Sequence, residues 1–323
     1  MTKHYDVTAL GEVLIDFTEN GSSAQGNPMY EANPGGAPCN VLAMLQKFGH
    51  KTAFLGKVGE DIFGRRLEIV LKEAGIDTAG LCMDPTVRTT LAFVEKKADG
   101  DRDFSFYRNP GADMMLRTEE QQEQILKDTR IFHFGTLSMT DEPVRSATRH
   151  AIETAKANGA LLSFDPNIRE PLWQSMEEAK RQTAYGMEVC DVLKISDNEI
   201  RWFTGEEDFD RGVDKLWREY HIPLILLSMG SGGSRAYCGS RRAEQPAFLQ
   251  EGTIDTTGAG DTFGACCLHY ILEHGMAGLG TTELEEMLRF ANAAASIVTT
   301  RRGALRVMPE PEEIQALLAE KSI

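Results

Sequence analysis

The segment Asp255-Thr-Thr-Gly-Ala-Gly-Asp-Thr-Phe-Gly-Ala265 concentrates the residue types that can handle an anion. Small residues at 258–260 let a backbone turn approach a ligand closely. The apolar stretch that follows, through Tyr270 and Leu272, predicts a helix whose first free N–H groups point back at that turn. Asp261 stands beside the turn, where a carboxylate can take a proton. The chemistry on offer is anion binding next to a base. No G-x-x-x-x-G-K-[ST] run is present, and Phe263 occupies the place of the third glycine in a dinucleotide fingerprint. A glycine-rich helix start with no ligand fits these residues equally well.

Other reactive side chains are scattered. The six cysteines, at 39, 82, 190, 238, 266 and 267, form no C-x-x-C pair and are expected to be reduced thiols. His269 and His274 lie five apart with no acidic or cysteine partner at ligand spacing, so no histidine metal site is expected.

The elements that must position the turn can be read from periodicity. Thr52–Gly56, Ile131–Phe134, Leu161–Phe164, Val192–Ile195 and Leu224–Leu227 read as buried strands. Helices are predicted over Val41–Phe48, Phe63–Ala74, Val144–Ala157 and Phe209–Tyr220. Strand–helix alternation of this kind implies an α/β fold, a mostly parallel central sheet covered by helices on both faces. Two stretches break the pattern. Residues 90–108 read as a hairpin around a polar loop, Lys96-Lys-Ala-Asp-Gly-Asp-Arg102, and residues 13–32 form an irregular Gly-, Ser- and Asn-rich segment. Together they are read as a small β lid on a single domain spanning 1–323, with Phe104, Phe106 and Arg108 on one face of the hairpin. Ordinary surface hairpins would leave nearly the same pattern.

Composition bounds the partners. The 323 residues are 41% apolar and carry a formal net charge of −15 with no dense Lys/Arg tract. Such a surface repels phosphodiester backbones, so nucleic acid is not an expected partner. No apolar run approaches a membrane span. The N-terminal residues lack the apolar centre of a signal peptide, and a cytoplasmic location is expected.

The 255–265 segment resembles the C-terminal signature of the ribokinase-like (PfkB) carbohydrate kinases. Asn33-Pro-Gly-Gly-Ala-Pro-Cys-Asn-Val-Leu-Ala43, about 220 residues earlier, resembles that family's N-terminal signature. Further matches are Gly11-Glu-Val-Leu-Ile-Asp16, Phe164-Asp-Pro-Asn-Ile-Arg169 with Leu172-Trp173, Lys194-Ile-Ser-Asp-Asn-Glu199 and Ser228-Met-Gly-Ser-Gly-Gly233. Together they look most like the fructokinase branch.

The resemblance implies roles position by position. Asp261 would be the general base, with the amides of Gly258, Ala259 and Gly260 as the anion hole. Asp16, Gly35, Gly36 and Asn40 would bind sugar hydroxyls, and Arg108 and Arg169 the sugar or the transferring phosphoryl group. Lys194 and Glu199 resemble the ATP-side pair, Glu199 acting on Mg2+ through water. Ser196 stands there where the family more often has Asn, which weakens any phosphate contact at 196. Ser228, Gly230, Gly233 and Asn292 would line the nucleotide pocket. Asp255 would hold K+ between its loop and Arg301-Arg-Gly-Ala304, although Asp255 capping a turn is an equal reading.

The expected activity is therefore an ATP-dependent sugar kinase using Mg2+, with fructose the favoured acceptor. The expected partners are a small sugar and ATP, and a homodimer is an assembly the sequence leaves open. A 2-keto-3-deoxygluconate kinase shares much of the pattern but needs a cation for the substrate carboxylate, for which Arg108 and Arg169 are available. A ribose or nucleoside kinase fits less well, since Ala37 replaces the Lys often found after the glycine pair. From a different class, a non-catalytic sugar-binding regulator would most simply have lost Asp261.

Overall fold

The computed structural model describes residues 3–96 and 102–320, with only the backbone path at 95, 96 and 102–104. The chain begins with β1 (Tyr5–Leu10), β2 (Leu14–Ser22), β3 (Pro28–Gly35), α1 (Ala37–Lys47), β4 (Thr52–Gly59), α2 (Ile62–Glu73) and β5 (Asp77–Asp84). The hairpin β6 (Leu91–Lys96) and β7 (Arg102–Tyr107) follows, then α3 (Glu123–Lys127), β8 (Thr129–Gly135), α4 (Val144–Ala157), β9 (Leu161–Asp165) and α5 (Met176–Val189). The remainder runs β10 (Val192–Ser196), α6 (Asp197–Thr204), α7 (Phe209–Tyr220), β11 (Leu224–Ser228), β12 (Ser234–Cys238), β13 (Arg241–Gln245), α8 (Ala259–His274), α9 (Thr281–Val298) and α10 (Pro311–Glu320).

Nine strands form one sheet in the order β13-β12-β11-β10-β9-β8-β1-β4-β5. It is parallel from β11 to β5, and β12 and β13 add an antiparallel edge. Strand β11 shows why its sequence is uniformly apolar. Leu224 and Leu226 enter the core on one face with α1, α8 and α9, while Ile225 and Leu227 enter the opposite core with α4, α5, α6 and α7. A strand covered on both faces has no solvent side, so its sequence does not alternate. This is the two-faced α/β arrangement expected from the sequence.

The helix boundaries follow local chemistry. Asp61 caps α2 by accepting from Phe63 N and Gly64 N. Ser196 and Glu199 close a capping box on α6, which ends at Gly205 in the left-handed conformation, φ 73°. The predicted spans of α4 and α7 coincide with the observed ones, whereas α1 starts four residues before the predicted Val41. Pro38 in its first turn explains the early start, since a helix tolerates proline there.

The segment read as irregular, 13–32, is ordered as β2 and β3. They join β6 and β7 in a second sheet of order β3-β2-β6-β7. Asp16 pairs with Asn33, and Ile15 with Leu91, so a polar sequence is held in strand form by its neighbours rather than by its own pattern. Phe17 anchors this sheet, stacking on Phe93 at 4.9 Å and meeting Phe63 of α2 edge-on at 5.7 Å. The polar loop of the hairpin and the Phe104 side chain fall largely outside the described residues. Among the described residues, no helix is long and apolar enough to cross a membrane.

Candidate functional site

The carboxyl ends of β1, β9 and β10 open onto a cavity of about 700 Å³. This is where α/β sheets ordinarily present ligand-binding loops. Asp16, Gly36, Asn40, Arg169, Lys194, Asp255, Gly258, Gly260 and Asp261 line it, together with Glu12, Phe106, Leu137, Asn167 and Asn198. A second cavity of about 340 Å³ is lined by Ser228, Gly230, Gly233, Ala259 and Asn292, with an apolar wall that includes Phe248 and Phe263. Thr253, Thr256 and Gly260 border both cavities. The two spaces meet at the glycine turn.

That turn begins α8. Gly258 is the N-cap at φ 79°, and no side chain caps the helix. A Cβ on Gly258 would also come within 2.8 Å of the Ala304 methyl, so turn and 301–304 segment pack at glycine distance. Asp255 ties the same two segments, accepting from Thr257 N at 2.8 Å and from Gly303 N at 3.4 Å.

Asp261 lies in the first turn of α8. Its Oδ2 accepts a 2.7 Å hydrogen bond from the Asn40 side-chain amide on α1. Burial pushes its carboxyl above the usual range, and Asn40, Lys194 and Arg169 oppose that shift. A carboxyl raised in this way is a better proton acceptor than an exposed aspartate.

Lys194, on β10, donates to Asp165 Oδ2 at 2.9 Å, and both side chains are almost fully buried. Its Nζ is 3.2 Å from where a Gly260 side chain would begin, which puts an ammonium at the glycine turn. Asp165 is pushed up to about 6 by burial and by Glu199 and Asp261, with Lys194 opposing. Burial also acts to raise Glu199, but Lys194 and the donors Ser196 and Ile168 outweigh it and hold the carboxyl low. Three carboxylates thus crowd one ammonium, an arrangement suited to a further cation.

Glu199 Oε2 accepts from Ser196 N at 2.9 Å and Ser196 Oγ at 2.7 Å, while Oε1 accepts from Ile168 N at 2.9 Å. The unusual Ser196 therefore serves as a helix cap. Glu199 is half-buried beside Lys194. Gly35 is buried, and a Cβ there would lie 2.4 Å from Asp16 Oδ2, so its lack of a side chain makes room for that carboxylate. Asn292 lines the second cavity while donating to Gln245 O and Pro246 O at 3.2 and 3.0 Å.

Arg108, expected at the sugar or the phosphoryl group from the hairpin face it shares with Phe106, is turned away from the cavity that Phe106 lines. It is buried, giving Nε to Asp113 at 2.7 Å, Nη1 to Thr140 Oγ1 at 3.0 Å and Nη2 to Leu137 O at 2.9 Å. It follows β7 rather than extending it, and the buried Asp113 carboxylate draws the guanidinium inward behind Leu137.

Two acidic residues escaped the sequence reading as site groups. Glu12 Oε1 accepts from Ala37 N at 2.9 Å and so caps α1 from a different segment. Burial pushes Glu12 up to about 7. Asp165 stood inside a quoted motif, but only folding sets it against Lys194. Its Oδ1 and Asn40 Oδ1 are buried and accept no hydrogen bond from the described residues. Hard carboxylate oxygens beside an ammonium fit a magnesium–nucleotide complex.

The sequence pattern of the pfkB family carbohydrate kinases matches residues 5–311. Probable fructokinase-4 of Arabidopsis thaliana is 41% identical over 315 residues, covering 97% of this chain and 96% of the relative. The crystal structure of fructokinase from Xylella fastidiosa with bound ATP superposes with a TM-score of 0.89 at 31% identity, covering 98% of this chain and 99% of that one. A fructokinase double mutant from Vibrio cholerae O395, with fructose, ADP and a potassium ion bound, gives 0.85 at 26% identity, again covering 98% and 99%.

Proposed function

The chain belongs to the pfkB family of carbohydrate kinases, and on that premise we propose that it transfers the γ-phosphoryl group of ATP to the 6-hydroxyl of fructose. The observation that carries the reading is the position of Asp261. Its carboxylate is held by Asn40 at the head of α8, where a polar cavity and a partly apolar one adjoin.

The polar cavity takes the sugar. Asp16 and Asn40 offer acceptors and a donor for its hydroxyls, and Phe106 of the small sheet walls it off from water. The second cavity takes adenine and ribose, so that the γ-phosphoryl group lies over the 258–260 amides. With Oδ2 of Asp261 accepting from Asn40, Oδ1 receives the proton of the sugar hydroxyl as its oxygen bonds to phosphorus. The bond from phosphorus to the β,γ-bridging oxygen breaks, and ADP leaves with that oxygen. The amides of the turn, Lys194 and Arg169 offset the negative charge on the transferring group. Mg2+, when bound through water near Asp165 and Glu199, would neutralise phosphate charge.

Arg108 supports a neutral acceptor over a sugar acid, because three of its donor atoms are committed to Asp113, Thr140 and Leu137 rather than to the cavity. K+ joins the reading as an ordering ion for the 255–258 loop, supported by the Asp255 link to Gly303 and by the potassium-bound Vibrio cholerae structure.

One assay panel tests these points. ADP release is measured with fructose, ribose, mannose and 2-keto-3-deoxygluconate, each in potassium and in potassium-free sodium buffer, and the product's phosphate position is read by NMR. Fructose giving the highest kcat/KM, a 6-phosphate product and greater activity in potassium are expected. A sugar acid preferred over fructose would overturn the substrate, and equal rates in the two buffers would overturn the ion.

A further inference from the structure

Behind the sheet, away from the glycine turn, the fold brings two imidazoles and a carboxylate together. His50 follows the C-terminal end of α1, and His269 and Glu273 are one turn apart on the same side of α8, so that, contrary to the expectation from sequence, His269 does have an acidic partner at ligand spacing. His50 Nε2 lies 2.8 Å from His269 Nδ1, and one ligand atom from each of the three residues falls within 4.8 Å of the others. A cavity of about 240 Å³, lined by His269, Tyr270, Glu273 and His274, gives access from solvent.

We propose that His50, His269 and Glu273 form a binding site for a divalent metal ion of the zinc class, separate from the phosphoryl-transfer site. The nitrogen separation is close to that of two imidazoles on one tetrahedral zinc, about 3.3 Å when each Zn–N bond is about 2.0–2.1 Å. Two nitrogens and a carboxylate favour zinc-class ions over magnesium or calcium, which prefer all-oxygen sets. The fourth position is left for water on the cavity side.

The surroundings supply the support that metal-binding histidines ordinarily have. Asp6 Oδ2 is 3.7 Å from His50 Nδ1, and Asp6 is itself fixed by Lys51 N at 3.0 Å and Arg130 Nη1 at 2.9 Å. At this distance Asp6 is a charged neighbour rather than a direct hydrogen-bond partner, and its negative charge favours the proton on Nδ1, the tautomer that leaves Nε2 free to ligate. His269 is stacked against Phe48 with ring centroids 4.2 Å apart, which fixes its plane. Without metal, one ring nitrogen donates to the other. On binding, the proton on His269 Nδ1 moves to its Nε2, and both lone pairs face the ion with no net proton lost. Eight residues of helix separate His269 from Asp261, about 12 Å, so the site does not draw on the kinase carboxylates.

Calorimetric titration of Zn2+ into the purified chain, with excess Mg2+ to occupy the ATP-side carboxylates, tests this directly. The titration is repeated with His269→Gln and Glu273→Gln. Glu273 is exposed, so its amide variant is expected to fold and to keep kinase activity when zinc is absent. The expected result is one ion per wild-type chain, with affinity reduced about 10–100-fold or more in either variant. Co2+ in place of zinc should show the visible bands of a tetrahedral site without thiolate charge transfer. Absence of stoichiometric binding by the wild type, unchanged affinity in Glu273→Gln, or a thiolate spectrum would each overturn the site.

Discussion

The Asn40 side-chain amide donates to Asp261 Oδ2 at 2.7 Å across 221 residues of chain, joining α1 to α8 at the head of the candidate active site. Burial alone would push Asp261 towards the neutral form, and this bond, with Lys194 and Arg169, moderates the shift. The bond favours the ionised base against the burial that opposes it.

Asp261→Asn is expected to lower kcat by on the order of 10² or more while changing sugar KM only a few-fold, because the amide keeps the shape and loses the proton acceptor. Steady-state kinetics on the purified variant measure both. A folded variant with wild-type turnover would remove Asp261 as the base.

Asn40→Ala withdraws a hydrogen bond that favours the ionised carboxylate. The Asp261 pKa, already above the usual range, should then rise further. Activity requires the deprotonated base, so the acid limb of the kcat profile is expected to move to higher pH in the variant. An acid limb at the wild-type position would show that Asn40 does not tune the base.

Glu12→Gln is expected to stabilise the fold at alkaline pH. Wild-type Glu12 titrates at about 7 in the folded chain against 4.5 for the ordinary group. A folded-state value raised in this way means that its stability contribution is full below pH 4.5 and is lost as pH rises through 7. The gap corresponds to an energy on the order of 3 kcal/mol. The amide can still accept from Ala37 N without having to ionise. Denaturant melts at pH 8 should favour the variant, and melts below pH 4.5 should coincide. Equal stability at pH 8 would refute the buried-carboxylate account.

Arg108→Ala is expected to act chiefly on stability. Its guanidinium and the Asp113 carboxylate are 2% and 3% exposed, so removing one leaves the other buried without its partner. Loss of about 3–5 kcal/mol is expected. A surface ion pair would contribute less than about 1 kcal/mol. Urea denaturation distinguishes these outcomes, and an unaltered midpoint would contradict the buried pairing.

Local chemistry determined much of this protein. The amphipathic periods of α4 and α7, the apolar runs of β9, β10 and β11, and the glycine turn ahead of Asp261 are properties of short stretches of sequence. They were legible because helix period, two-faced burial and glycine's backbone freedom act within a few residues. Residues 13–32 were legible as part of a small β element with 90–108, and the second sheet bears that out, but the bounds of β2 and β3 were not, because a polar, glycine-rich pattern carries no alternation and the register comes from pairing with β6. Arg108 is misplaced by a sequence reading because a strand's period says which face a residue occupies, not which buried carboxylate will draw it in. Glu12, Asp165 and the His50–His269 pair depend still more on the tertiary structure. Desolvation, a raised carboxyl and a shared proton arise only when groups dozens to hundreds of residues apart are packed together and water is removed from between them.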